Sequence, residues 1–134
     1  MKNLRTYRIL FFSLFLSFIL FIIGCGKKYE VEIVGNWEET PMTDKPVNTR
    51  VWTFYDDNSM KIEETADTVY KAEYSLEKKF NFHFVTISNL ERGLLFNGKY
   101  RIDELKDGIL KLQRVELENG ESDGAYLRKE FIKL

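Results

Sequence analysis

Cysteine, histidine and proline are nearly absent from this chain. Its 134 residues include one cysteine, Cys25, one histidine, His83, and two prolines. A single cysteine excludes an intrachain disulfide, and with a single histidine it leaves no zinc-ligand spacing. No Ser-His-Asp or Cys-His set assembles from these residues, so no enzymatic activity and no cofactor are expected. Basic residues are not in excess either, at 20 against 21 acidic. A chain without surplus cations has little to neutralise phosphates with, which argues against nucleic acid as a partner. Asp56-Asp57-Asn58 lacks the glycine and the distal glutamate of a calcium loop, so no metal site is expected there. Beyond residue 24 there is no apolar run of membrane-spanning length.

The one long apolar run lies at the amino terminus. Lys2, Arg5 and Arg8 precede Ile9 to Ile23, which is interrupted only by Ser13 and Ser17, and the first acidic residue is Glu30. Fifteen residues fall short of the ~20 that span a hydrocarbon core, and fit the apolar region of a signal peptide. The sequence Ile22-Ile23-Gly24-Cys25 resembles the lipobox of bacterial lipoprotein signal peptides. That resemblance implies cleavage after Gly24 and acylation of Cys25, which becomes the attachment site to the lipid bilayer. The alternative is a membrane helix with an incidental cysteine. Cleavage would remove 24 of the 134 residues and leave 110; three basic residues and no acidic one go with them, so the mature formal charge is −4. Residues 25–34 then form a lipidated tether, in which Lys27 and Lys28 suit anionic headgroups. The resemblance places the protein in the bacterial cell envelope, on the outer membrane, with the periplasmic and surface-facing sides both open.

From residue 35 to 134 the pattern is β throughout. Arg50 to Tyr55 is rich in aromatic and β-branched residues and puts Trp52 and Phe54 on one face. Asp56 to Ser59 reads as a turn, and Met60 to Glu63 as the returning strand. Thr68 to Leu76 places Tyr70, Ala72, Tyr74 and Leu76 together, and Lys78-Lys79 falls in the next turn. Phe82 to Ile87 follows, with Phe82 and Phe84 inward and His83 outward as a solvated side chain. Gly98 to Leu105 carries Tyr100 and Ile102 inward. Asp107-Gly108 and Asn119-Gly120 are hairpin signals on either side of Ile109 to Glu116. Glu118 to Asp123 reads as a solvated acidic loop, with calcium or a basic partner as the alternative. With strands at Asn36–Thr40 and Ala125–Lys133 the count is eight. Short connections make neighbours antiparallel, and closure removes both edges. The expected fold is all-β, a small eight-stranded antiparallel up-and-down barrel; a two-sheet sandwich needs longer crossovers.

Gly35-Asn36-Trp37, the Trp/Phe-rich second strand, and the late Tyr100-Arg-Ile102 and Leu110-Lys-Leu112 together resemble the lipocalin-like domains of Bacteroidota lipoproteins. The resemblance implies that Gly35 and Trp37 close one barrel end, with a late-strand cation, Arg114 or Arg128, packed across the indole. It also implies an interior that binds a small hydrophobic ligand. Trp52, Phe54, Tyr70, Tyr74, Phe82, Phe84 and Tyr100 are the candidate lining, an apolar wall with several hydroxyl handles. The other reading is that these rings fill the barrel, because eight strands enclose barely enough space for side chains. The protein is then an envelope interaction or inhibitor module with a protein partner. Gly93-Leu-Leu-Phe96 reads as a loop that covers either the barrel mouth or a partner's surface.

The first test is of processing. Cys25→Ala should abolish incorporation of labelled palmitate and release the domain from the membrane fraction, or stall it as a precursor. Equal labelling of both proteins would remove the lipoprotein reading.

Overall fold

In a computed structural model the described residues are 28–41, 49–65, 68–90, 96–125 and 127–134. Residues 1–27, with Cys25 and the apolar run, lie outside them, as does the loop segment 91–95 with Leu94 and Leu95. The strands are β1 (Gly35–Glu39), β2 (Val51–Phe54), β3 (Ser59–Thr65), β4 (Thr68–Lys79), β5 (Phe82–Ser88), β6 (Gly98–Lys106), β7 (Ile109–Glu116) and β8 (Arg128–Lys133). Each pairs antiparallel with its chain neighbours, and β1 pairs with β8, so the sheet is a closed up-and-down barrel. Asp107 and Gly108 both take positive φ, 53° and 78°, as the tight β6–β7 hairpin requires. At the β2–β3 turn the Asp57 carboxylate accepts from the Ser59 amide at 2.9 Å, which offsets the left-handed Asn58.

The strand pattern fails in phase at one place. In β5 the buried residues are Val85 and Ile87, whereas Phe82 is 54 % exposed and Phe84 half-buried. Cross-strand partners share a face of the sheet. Leu76 pairs with Val85 and Tyr74 with Ile87, so the inward side of β4 dictates the inward side of β5. Phe82 and Phe84 are therefore outside, under Arg101 at 5.8 Å and Lys99 at 4.9 Å. Lys78 and Lys79 belong to β4 and not to the turn, since they pair with His83 and Phe82.

The two barrel ends differ. Residues 28–33 are helical and lie across one end, here called the floor. Ile33 is fully buried there, and its carbonyl accepts from the Trp37 indole nitrogen at 2.7 Å. Tyr29 stacks on His83 with ring centroids 3.7 Å apart. The second half of the expected tether is thus part of the barrel, and His83 is half-buried against a ring instead of solvated. The cation over Trp37 is neither expected arginine but Lys133, 5.1 Å from the ring. Lys133 is the register partner of Trp37, while Arg114 lies at the opposite end and Arg128 is exposed. The Lys133 stem also explains Gly35: a Cβ there would stand 2.9 Å from Lys133 Cε, at a φ of +136°.

Trp37 is 1 % exposed, so Trp37→Ala removes a full aromatic packing partner and the Ile33 hydrogen bond. A loss of about 3–5 kcal/mol is expected, read as a large drop in the denaturant midpoint. An unmoved midpoint would take Trp37 out of the core.

Candidate functional site: the barrel interior and its mouth

Four of the seven aromatic residues expected inside the barrel meet there. Trp52, Phe54 and Tyr100 are fully buried, and Tyr74 nearly so. Trp52 is ringed by Phe131 at 5.0 Å, Phe96 at 5.7 Å, Tyr100 at 6.4 Å and Phe54 at 6.5 Å. Phe54 continues the chain of rings to Tyr74 at 5.0 Å. These are the centroid spacings of packed aromatic clusters. Tyr70 is half-buried near the mouth, and Phe82 and Phe84 lie outside, as described above. The hydroxyl handles are already engaged. Tyr74 donates to the Tyr55 carbonyl at 2.6 Å, Tyr100 to the Phe96 carbonyl at 2.8 Å, and Tyr70 to Glu64 at 3.2 Å.

The mouth, opposite the floor, holds a layer of charge that strand alternation had hidden. Glu39, Arg50, Glu64, Arg114 and Lys129 each stand two residues from an inward apolar residue: Trp37, Trp52, Ile62, Leu112 and Phe131. The period-two rule therefore points all five inward, and that was the signal available to find them. Lys129, 5 % exposed, donates to Glu39, whose other oxygen is 3.9 Å from Arg50. Arg50 binds Glu64 at 2.5 Å. Arg114 binds Asp123 at 2.7 Å. Asp123 is buried, so the acidic loop that contains it is not merely solvated; its basic partner is Arg114 of the same chain. The Arg114 stem passes over Gly98, where a Cβ would stand 3.1 Å from Arg114 Cδ and closer still to backbone. Phe96 lies over this layer, 5.1 Å from Arg50 and 5.0 Å from Lys129, so the end of its loop packs on the mouth.

Three cations face three carboxylates, so the layer carries no formal charge. Burial pulls the Lys129 pKa below its ordinary value, and Glu39 partly restores it. The hydrogen bond from Arg114 holds the Asp123 carboxyl below the usual range. Burial pushes the Tyr100 phenol up to about 12. Two polar atoms lack a hydrogen-bond partner among the described residues: Trp52 Nε1 and the second carboxylate oxygen of Glu39. At the floor, away from these groups, burial and then Lys78 lower the His83 pKa. Among the described residues no three His, Cys, Asp or Glu side chains converge as metal ligands do. An open groove of about 660 Å³ lies between the floor segment, the β2–β3 turn and β4, lined by Val31, Val34, Tyr74 and Leu76 with Asp56 and Asn58. Comparison with known protein families, curated proteins and solved structures finds no match.

Tyr100 supplies a pH test. The unfolded chain gives up its tyrosine proton near pH 10, while the folded chain keeps it to about 12. Its contribution is complete below pH 10 and is lost as pH rises toward 12, at up to about 1.4 kcal/mol per unit. Urea midpoints at pH 9 and 11 should fall more steeply for the wild type than for Tyr100→Phe. Equal slopes would place the phenol in water.

Proposed function

We propose that the protein is a lipid-anchored, lipocalin-like lipoprotein of the bacterial envelope whose barrel is solid and which acts by docking a partner protein. The observation that carries this reading is the occupation of the interior by the chain itself. Trp52 has rings on several sides, and the three tyrosine hydroxyls that would have fixed a ligand are bonded to Tyr55, Phe96 and Glu64. The anchor is the one that the Ile22–Cys25 lipobox resemblance implies, with the outer membrane as its expected location. With the chain entering at the floor, the charged mouth is the end held away from the attachment point, where a partner has access.

A second reading keeps the carrier function implied by the lipocalin resemblance. Its support is two polar atoms without a hydrogen bond among the described residues, Trp52 Nε1 and Glu39 Oε2, the latter 3.9 Å from Arg50. A small apolar molecule bearing one hydrogen-bond acceptor would satisfy the indole nitrogen.

Ala72 separates the two. It faces inward opposite Met60 and is buried. In a solid barrel Ala72→Phe overpacks the core and costs about 1–3 kcal/mol, the wild type binds no apolar fluorescent probe, and native mass spectrometry of protein from its own envelope finds no retained lipid beyond the anchor. A stable Ala72→Phe protein that loses the probe binding shown by wild type would overturn the solid-barrel reading in favour of the carrier.

A further inference from the structure

The exposed apolar side chains are not spread over the barrel. Of the eight large ones among the described residues, seven lie at or next to the floor, including Val31, Phe80, Phe82, Ile132 and Leu134. The eighth, Val69, is near the mouth at the start of β4. Phe80 is the most exposed of all, at 85 %, and occupies the tip of the β4–β5 hairpin. Its φ is +55°, a left-handed conformation in which glycine or asparagine is the economical choice. An aromatic ring is kept in water at a position where the backbone disfavours it.

The hairpin runs past the β3 side of the floor. The last β3 partner of β4 is Glu73, so on that side Lys79 lies six residues farther on, about 20 Å along the strand, while β5 stays paired with β6 as far as His83. The tip reads Lys78-Lys79-Phe80-Asn81-Phe82, with two cations, two rings and no acid. Elsewhere on the floor Lys28 is paired with Glu32 and Lys106 with Asp107, while Lys133 lies over Trp37. Cations and rings at one apex are the composition of a segment that seats at a bilayer interface.

The amino-terminal chain says what covers this surface. Lys28 is only three residues after Cys25 and five after the end of the apolar run, so either must lie within roughly 10–18 Å of the floor. The helical residues that follow are fixed to the β4–β5 hairpin by the Tyr29–His83 stack. From His83 the tip is three residues away, again about 10 Å. The attachment point and Phe80 are thus each within a few residues' reach of the same floor segment, close enough for one bilayer surface to meet both.

We propose that the floor is a membrane-docking face: the Phe80 tip inserts into the headgroup region of a glycerophospholipid bilayer and holds the barrel upright, mouth away from the lipid. The inference rests on the membrane attachment of the proposed function, and the experiment reads the two separately. The full chain, made with its own leader in a bacterium that processes lipoproteins, is reconstituted in phosphatidylethanolamine–phosphatidylglycerol vesicles with brominated acyl chains. Phe80→Trp alters a side chain already in water, and the native Trp37 and Trp52 are buried and give a steady background. Phe80→Trp should lose at least about twofold more tryptophan emission than wild type, and Val69→Trp should match wild type. No extra quenching at position 80, or equal quenching at 69 and 80, overturns the proposal. So does a blue-shifted but unquenched signal, the result if a second copy or another protein covers the tip. Mass spectrometry of the Cys25 peptide reports acylation on its own. An unmodified Cys25 with a quenched Phe80→Trp removes the lipid anchor and keeps the docking face; an acylated Cys25 without quenching removes the docking face alone.

Discussion

Everything in this barrel depends on the seam where β8 returns to β1. Three register pairs close the sheet, Trp37 with Lys133, Glu38 with Ile132 and Glu39 with Phe131. Both strands are short, and without the seam each would be a bare edge with unpaired backbone groups. Side chains pin the seam at both ends. At the floor the Lys133 ammonium lies over the Trp37 ring, and at the mouth Lys129 donates to Glu39. The two lysines are four residues apart and on the same face of β8, with Phe131 between them in the core. Lys129 is buried, and on an open edge it would be desolvated for nothing, since burying an unpaired charge is costly. Closure supplies Lys129 with Glu39 and the exposed Lys133 with the Trp37 face, so the buried lysine that opposes an open sheet favours the closed one.

The eight strands and their closure were legible because two signals agreed. Turn residues such as Asp107-Gly108 fixed where strands ended, and Trp52–Phe54 or Tyr70–Ala72–Tyr74 fixed which side faced in. Phe82 to Ile87 was not legible in phase, because both of its faces carry large apolar side chains. Phe82 and Phe84 compete with Val85 and Ile87, and only the pairing of Leu76 with Val85 decides between them. Hydrophobicity cannot break that tie, since the outward rings have cations above them and are not simply solvated. The mouth layer escaped for the opposite reason. Glu39, Arg50, Glu64, Arg114 and Lys129 obey the alternation, but their charge reads as exposure. Burial was affordable only because each meets an opposite charge from another strand, which a single strand cannot reveal.

Trp37 shows a related limit. A cation over its ring was expected from a late strand, and one is there, but from the final residues of β8 and not from Arg114 or Arg128. The choice follows from register. Lys133 is directly across the seam from Trp37, and Gly35 leaves room for its stem. Gly98 does the same for the Arg114 stem at the mouth. In each case a glycine with positive φ sits beneath an inward cation, so the bare position and the long side chain are two parts of one contact.

The two ends of the barrel therefore present different chemistry to their surroundings. The floor is sealed by Ile33 and Trp37, and its outer surface carries Phe80, Val31 and the adjoining lysines. The mouth is sealed by charge, with Phe96 laid over Arg50 and Lys129. A water-filled or lipid-facing end needs no paired ions inside it. A layer of three cations and three carboxylates, part-buried and mutually compensated, has instead to be held in register by its scaffold, because each unpaired member would destabilise the fold. The aromatic plug beneath it, from Trp52 to Phe131, provides that rigidity. The interior of this barrel is thus best understood as the support for its two ends, which is the physical reason to look for function at the rims and not in the bore.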